Sequence, residues 1–327
     1  MAKYLVTGGA GFIGSHLVEE LLRRGHQVRV VDNFVTGKAE NLEAALVAAT
    51  AGLGTSGAPA APELLTGDVA EPDVARHAVE GVDYVLHQAA IPSVPRSVED
   101  PWTSNRANID ATLSILVAAR DARVKRVVYA GSSSAYGDTP TLPKHEDMPA
   151  NPLSPYALQK YVGEQYMQMF TRLYGLETVT IRYFNVFGPR QDPGSAYSGV
   201  ISVFLRELSE GRLPTIYGDG EQTRDFTYVA NVVDGVLRAV DAPQASGQVI
   251  NVATGSRISL NDLLSALQEL TGSKGAARYD NVRAGDVRDS QADITKAEQL
   301  LGYRTLVPLE EGLKRTLGWF RNTPTAA

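Results

Sequence analysis

Residues 3–32 read KYLVTGGAGFIGSHLVEELLRRGHQVRVVD, and this stretch decides the fold. The runs at 3–7 and 27–32 are short and rich in β-branched residues, which predicts strands. Between them, Leu17, Val18, Leu21 and Leu22 share one face of a helix predicted over 14–24. Strand, helix and strand in this order make a βαβ unit. Further strands are predicted at 63–66, 82–87, 126–130 and 178–183, with helical stretches between most of them. Such alternation builds a parallel sheet covered on both faces, so the fold class is α/β.

The turn inside that first unit carries chemistry. TGGAGFIG at 7–14 places Gly8, Gly11 and Gly14 between strand and helix. Glycines let the backbone approach a pyrophosphate, and the N–H groups at the helix start, with Phe12 and Ile13 in that turn, stabilise its charge. Asp32 closes the next strand and precedes Asn33, with Gly37 in the same loop. A carboxylate there suits the adenosine ribose hydroxyls and repels a 2′-phosphate, so NAD is favoured over NADP. Asp68 and Val69 follow the third strand and Ala89 and Ala90 the fourth, where such folds meet the dinucleotide. The expectation is a Rossmann doubly wound parallel sheet over 1–184, with a returning segment near 228–254. A smaller α/β C-terminal substrate-binding lobe is expected over 185–327.

Composition narrows the rest. Of 327 residues, 43% are hydrophobic and 21% charged, ordinary globular values. A net charge of −6 argues against a phosphate-backbone binder, so no nucleic acid partner is expected. The chain has no cysteine, which excludes disulfides, thiolate nucleophiles and Cys-ligated zinc. His16, His26, His77, His87 and His145 show no ligand spacing, so no metal is expected. No apolar run approaches the roughly 18 residues of a membrane span. Met1 leads straight into a strand pattern without a leader, and the expectation is a cytoplasmic protein with no membrane partner.

The Ala-rich segment 43–62 begins like a helix and ends as a Gly/Pro/Ser loop, a surface connector. Beyond Tyr183 the stretch FNVFGPRQDPGSAYSG is loop-rich. An amphipathic helix is predicted over 259–270, with Ser259 as N-cap and Leu260, Leu263, Leu264, Leu267 and Leu270 as its buried stripe. A short C-terminal helix follows.

YALQK at 156–160 sets Tyr156 and Lys160 four residues apart, on one face of a helix that Ser154 can cap and Pro155 can open. A free tyrosine titrates near about 10, so it needs a nearby cation to serve as a base at neutral pH. In VVYAGSSSAYG, Ser132 ends the fifth strand and offers a hydroxyl to hold the reacting oxygen, with Ser133 and Ser134 beside it. Tyrosine, serine and lysine in this order, behind the glycine turn and Asp32, point to hydride transfer.

At this point the chain resembles the extended short-chain dehydrogenase/reductase family, and within it the UDP-hexose 4-epimerases. The matching stretches include TGGAGFIGSHL, HQAAIPSVPRS, NIDATL, SPYALQKYVGE, RYFNVFGPRQ, IYGDGEQTRDFTYV and AGDVRDSQADITKAEQLLGY. The subgroup it looks most like accepts UDP-N-acetylhexosamines as well as UDP-hexoses. The resemblance implies that Tyr156 takes the proton of the sugar 4-hydroxyl while NAD takes the C4 hydride. The bound 4-ketose then turns on its diphosphate tether and receives the hydride on the other face. It also implies that Arg224, Arg283 and Asn185 meet the diphosphate, that Val200 and Tyr217 lie near uracil, and that Asn108 and Tyr183 border the NAD pocket. Ser93, Ser133, Ser134 and Asp286 complete the implied substrate set. Ser290 stands where an aromatic residue would crowd a C2 N-acetyl group. A homodimer is implied, built on helices over 103–121 and 156–174, whose Leu113, Leu116, Val117, Met167, Phe170 and Leu173 fit an interface or the intrachain core equally.

Four other readings stay in view. Nucleotide-sugar 4,6-dehydratases place an Asp-Glu pair where this chain has Ser133 and Ser134, and UDP-glucuronate decarboxylases carry glutamate at Ser134; both are disfavoured without that acid. A UDP-glucuronate 4-epimerase remains the alternative, with Arg190 and Arg96 able to neutralise a carboxylate. A non-catalytic NAD(H)-sensing regulator has no need of both Tyr156 and Lys160.

Overall fold

In a computed structural model of the chain, residues 1–51, 60–192, 199–282 and 287–322 are described. The first half runs β1 (Lys3–Thr7), α1 (Phe12–Arg23), β2 (Gln27–Asp32), α2 (Ala39–Thr50), β3 (Glu63–Thr66), α3 (Pro72–Val79) and β4 (Tyr84–His87). Then come α4 (Val94–Glu99), α5 (Pro101–Asn105), a π-helical turn Arg106–Asp110, α6 (Ala111–Asp121), β5 (Arg126–Ser132), α7 (Pro155–Tyr174) and β6 (Glu177–Tyr183). Across the sheet the order is β3, β2, β1, β4, β5, β6, and a seventh strand, Gln248–Val252, extends the β6 edge. Every pairing is parallel. The order reverses between β1 and β4, where a crevice opens at the carboxyl ends of such strands.

Alternation along the strands divides the core. Leu5, Val31, Val85 and Val127 point into the layer formed with α3, α6 and α7. Their neighbours Val6, Val30, Leu86 and Val128 point the other way, toward α1 and the helix Val229–Asp241. That second cluster continues without a break into Phe204, Leu263, Leu267 and Leu317 of the C-terminal part. The apolar stripe of the helix Leu260–Thr271 is therefore buried, and Ser259 caps it by accepting from the Asp262 N–H at 3.0 Å. The C-terminal part adds short two-stranded pairings, among them Thr223–Arg224 with Ile258–Ser259.

The helix expected over 103–121 is three pieces. Its middle forms a π-helical turn in continuous helical backbone, and the side chain of buried Asn108 there bonds to the main chain of Ile91. Such bulges insert a residue and recur at functional sites. Of the connector expected over 43–62, the helical beginning is seen, and residues 52–59 lie outside the described residues.

Two buried arginines fasten crossover helices to the sheet. Arg29 on β2 donates to the carbonyls of His77, Ala78 and Glu80 at the end of α3. Arg126 on β5 donates to Ala239, Val240 and Ala242 at 2.7–2.9 Å, at the end of Val229–Asp241. A cation there satisfies orphan carbonyls and the helix dipole together. Arg126→Met strands those carbonyls, and urea unfolding is expected to show a loss of about 3 kcal/mol; a change below about 0.5 kcal/mol would contradict this role for the guanidinium.

Candidate active site

The cofactor half of the site starts at the β1–α1 turn. Gly8 has φ 66°, and a Cβ on it would stand 2.8 Å from the Ala89 backbone. A Cβ on Gly14 would stand 2.1 Å from the Gly8 carbonyl. Both positions need glycine because backbone packs on backbone there. Gly11 is the N-cap of α1 and no side chain caps that end, so the first turn, with Phe12 and Ile13, opens toward the groove. Asp32 ends β2 buried, accepting from Ala10 N–H at 2.9 Å and Phe34 N–H at 2.8 Å. Burial raises its pKa, and those backbone bonds oppose the shift. Gly37 lies beside this carboxylate. Asn33 closes its own turn by accepting from the Val35 N–H. Asp68 accepts from the Ala70 N–H at 2.9 Å and sits near Arg106, with Val69 buried behind it. Ala90 is half-buried. A glycine cradle, an uncapped helix start and an acidic strand end suit a pyrophosphate joined to a ribose, so these residues fit NAD.

One hydroxyl fixes this half of the site. Thr7 Oγ1 accepts from both Gln88 N–H and Ala89 N–H at 3.1 Å. Its own proton therefore goes to His87 Nδ1, 2.7 Å away. That leaves the proton on Nε2, facing Thr112 Oγ1 at 3.1 Å, and Thr112 donates onward to the Asn108 carbonyl at 2.7 Å. Burial lowers the His87 pKa to about 3, with Lys160 adding to the effect, so the ring is a neutral relay that holds chain in place. Asn108 is itself committed, its Nδ2 donating to Gln159 Oε1 at 2.8 Å. Gln159 also accepts from Ser104 Oγ at 2.7 Å. The chain from β1 thus ends on α7, between Tyr156 and Lys160. Nothing in the local sequence pattern marks Thr7, His87 or Gln159 for this work.

Ser154 caps α7 by accepting from the Ala157 N–H, and Pro155 opens its first turn, as expected. Tyr156 N–H donates to Ser97 Oγ at 3.0 Å. Burial raises the Tyr156 pKa, and the counterweight is the Ser132 hydroxyl rather than the lysine. Lys160 is 4% exposed, donates to the Ala130 carbonyl at 2.9 Å and lies 4.8 Å from the Tyr129 ring centre. Desolvation lowers its pKa to about 7. Tyr183 donates to Gln88 Oε1 at 2.9 Å, and burial raises its pKa.

Beyond this pair the cleft is lined by Ser132, Ser133, Ser134, Asn185, Arg224 and Ser290, which sequence order keeps far apart. Ser132 and Ser134 share a hydrogen bond of 2.7 Å. Asn185 takes φ 34° and donates to the Asp225 carbonyl at 3.1 Å. Arg224 donates to the Arg288 carbonyl at 3.0 Å, and Ser290 N–H donates to the Thr223 carbonyl at 3.1 Å. Ser93 lies apart from this lining, its hydroxyl capping α4 by accepting from the Arg96 N–H. Val200 opens the helix Val200–Ser209 and Tyr217 ends the strand Thr215–Tyr217, both in the C-terminal part of the chain and outside the lining. Arg283 and Asp286 lie outside the described residues. Three charged lining or supporting residues escaped the sequence reading: Lys144, Asp289 and buried Asp225. Asp225 accepts from Thr254, Gly255 and Ala292 backbone N–H groups, pinning the Arg224 strand to the Ser290 segment. Its place next to Arg224 in QTRDF was the only signal. Among the described residues no helix is long and apolar enough to cross a membrane, and no three His, Asp or Glu side chains group as metal ligands.

Residues 4–253 match the NAD dependent epimerase/dehydratase family. A UDP-glucose 4-epimerase of Mycolicibacterium smegmatis is 40% identical over 98% of this chain and 99% of its own. The Thermotoga maritima UDP-glucose 4-epimerase, solved with UDP-glucose, superposes with a TM-score of 0.89 at 37% identity, covering 98% of both chains. A UDP-N-acetylglucosamine 4-epimerase of Methanobrevibacter ruminantium, solved with UDP-N-acetylmuramic acid, gives 0.89 at 36% identity and the same coverage.

Burial of Lys160 has a consequence for stability. Its folded pKa of about 7 lies below the ordinary 10.5, so the folded state carries the full cost of a buried ammonium below about pH 7. That cost fades as pH rises toward 10.5, where the unfolded chain also loses the proton. In nucleotide-free protein, Lys160→Met is expected to melt at least about 2 °C higher than wild type at pH 6.5. The gap should close by about pH 10. A lower melting temperature for the variant at pH 6.5 would show that the Ala130 bond outweighs the burial.

Proposed function

The chain belongs to the NAD dependent epimerase/dehydratase family, and we propose that it inverts C4 of a UDP-sugar through a transient 4-keto intermediate. The observation that carries this is that Ser132, in side-chain hydrogen-bond reach of Tyr156, lines one cleft together with Arg224 and Asn185. The 37–40% full-length likeness to UDP-glucose 4-epimerases supports the same reaction.

NAD supplies a reversible hydride acceptor when bound. On this reading Gly8, Gly11 and Gly14 admit its pyrophosphate to the α1 start, and Asp32 receives its adenosine ribose. Phe12 and Ile13 join the pyrophosphate turn, Asn33, Gly37, Asp68 and Val69 shape the adenosine end, and Ala89, Ala90, Tyr183 and Asn108 line the rest of the dinucleotide. Ser132 holds the sugar 4-oxygen, and the Tyr156 phenolate takes its proton, then gives it back to the inverted sugar. Lys160 stands one helical turn away on the same face of α7, and its protonated form favours the phenolate. Arg224, Asn185 and Arg283 hold the diphosphate; Arg's fixed fork of donors suits that job. Val200 and Tyr217 meet the uracil, and Ser93, Ser133, Ser134 and Asp286 complete the sugar site. Because the tether stays anchored, the ketose can turn without leaving.

Dehydration needs a carboxylic acid beside Ser132. Asp289, the acid among the described lining residues, is committed to Thr223 through its N–H and hydroxyl. Ser290 leaves space beside the sugar's C2 substituent, so UDP-GlcNAc and UDP-GalNAc join UDP-Glc and UDP-Gal as substrates.

The same reading includes a homodimer. Leu116, Met167 and Phe170 are buried within the chain, but Leu173, Leu158 and Met169 of α7 stand exposed, with Trp102 of α5. An apolar stripe of this kind suits a two-fold helix pairing. A cytoplasmic location goes with a reaction that draws on intracellular dinucleotide and nucleotide sugar.

Tyr156→Phe tests the assignment. With UDP-glucose or UDP-GlcNAc, kcat is expected to fall by about 10²-fold or more while NAD stays bound. Unchanged turnover would sink the proposal.

A further inference from the structure

Lys144 lines the sugar half of the cleft, yet no step above uses it. Its backbone is tied to the strand carrying Ser290: Lys144 N–H donates to the Gln291 carbonyl at 2.7 Å, and Asp293 N–H donates to the Lys144 carbonyl at 2.9 Å. The side chain is 2% exposed. Its ammonium donates to the Thr139 carbonyl and, at 2.6 Å, to Thr139 Oγ1, both neutral acceptors. Three donors are available on such a group. Among the described residues no carboxylate forms an ion pair with it, since Asp138 and Asp289 act only at longer range. A buried ammonium without a paired charge is among the least favourable arrangements a fold can hold, and a ligand's negative charge relieves it.

Lys144 and Arg224 are the two basic side chains among the described residues of the lining. The Ser290 segment runs between them: its Arg288 carbonyl and Ser290 N–H pair with Thr223 on the Arg224 side, and its Gln291 carbonyl and Asp293 N–H pair with Lys144 on the other. Of a hexose's carbons, C1 carries the diphosphate and C4 reacts. C6 is the position that oxidises to a carboxylate without disturbing the ring. The half-turn about the C1–C4 axis that presents the other face of C4 exchanges the C2 and C6 edges, bringing C6 to the Ser290 side in one of the two poses. Arg190, which the sequence offered as the partner of such a group, pairs with Glu19 on α1, and neither it nor Arg96 lines the cleft.

We infer that Lys144 is a specificity-determining residue whose ammonium binds a carboxylate on the sugar, so that the cleft takes UDP-uronates as well as neutral UDP-sugars. This rests on the C4-epimerase reading. The full-length holoenzyme and its Lys144→Gln and Lys144→Arg variants are assayed with UDP-glucuronate and with UDP-glucose, and UDP binding is measured by calorimetry. Wild type is expected to epimerise both sugars. Lys144→Gln should raise KM for UDP-glucuronate at least about tenfold, a lost charge-assisted hydrogen bond, with KM for UDP-glucose and the affinity for UDP within about threefold. Lys144→Arg, which keeps the charge, should retain most of the uronate activity. Equal losses on both sugars would reduce Lys144 to an anchor for the Thr139 loop and overturn the inference. Weaker UDP binding would move the ammonium to the diphosphate and overturn it as well. Wild-type turnover of UDP-glucose alone also overturns it, whereas turnover of neither sugar overturns the C4 reading itself.

Discussion

The hydroxyl of Thr7 is the point on which the site is hung. It closes the last turn of β1 against the chain leaving β4 by accepting two N–H groups, and its one proton sets the tautomer of His87. His87 then donates to Thr112 and Thr112 to the Asn108 carbonyl, while the Asn108 side-chain amide, oriented by the Ile91 N–H, donates to Gln159 on α7. A buried chain of donors and acceptors tolerates no reversal, because any flipped member leaves two groups unmatched. The glycine turn that faces the cofactor and the helix that carries Tyr156 and Lys160 are thereby held in one frame.

That frame is dry, and dryness sets the chemistry. Desolvation pushes the Lys160 ammonium and the Tyr156 phenolate toward their neutral forms, so the resting site is reluctant to hold either charge. Neutral dipoles compensate only in part: the Ala130 carbonyl for the lysine and the Ser132 hydroxyl for the tyrosine. A positively charged nicotinamide ring would favour the Tyr156 phenolate and weigh further against the Lys160 ammonium. Stability given up at Lys160 is retained elsewhere, in the Arg29 and Arg126 latches on the opposite end of the strands and in the buried Arg182–Glu164 pair beneath α7.

The parts of this site written in contiguous residues were legible. TGGAGFIG, Asp32 and YALQK each specify a local geometry, a turn, a strand end or a helix face, and each falls on the element expected. The π-helical turn within the helix over 103–121 was not legible, because no local pattern announces it and the Asn108 side chain there bonds to Ile91, seventeen residues away. Lys144 and Asp225 were hidden for the same reason. One reads as an ordinary loop lysine and the other as a neighbour of Arg224, until long-range backbone pairing sets both against the Ser290 segment. The opposite error threatened at Leu116, Met167 and Phe170, where helical spacing alone leaves core and interface indistinguishable and burial assigns them to the core.

The central claim is that hydride leaves C4 and returns to C4 within one bound complex. Incubating the enzyme with UDP-glucose deuterated at C4, without added NAD, and locating the label by NMR in the UDP-galactose formed tests it directly. Full retention of deuterium at C4 is the predicted result. Loss of the label to water, or its accumulation in released NADH with free 4-ketose, would contradict it.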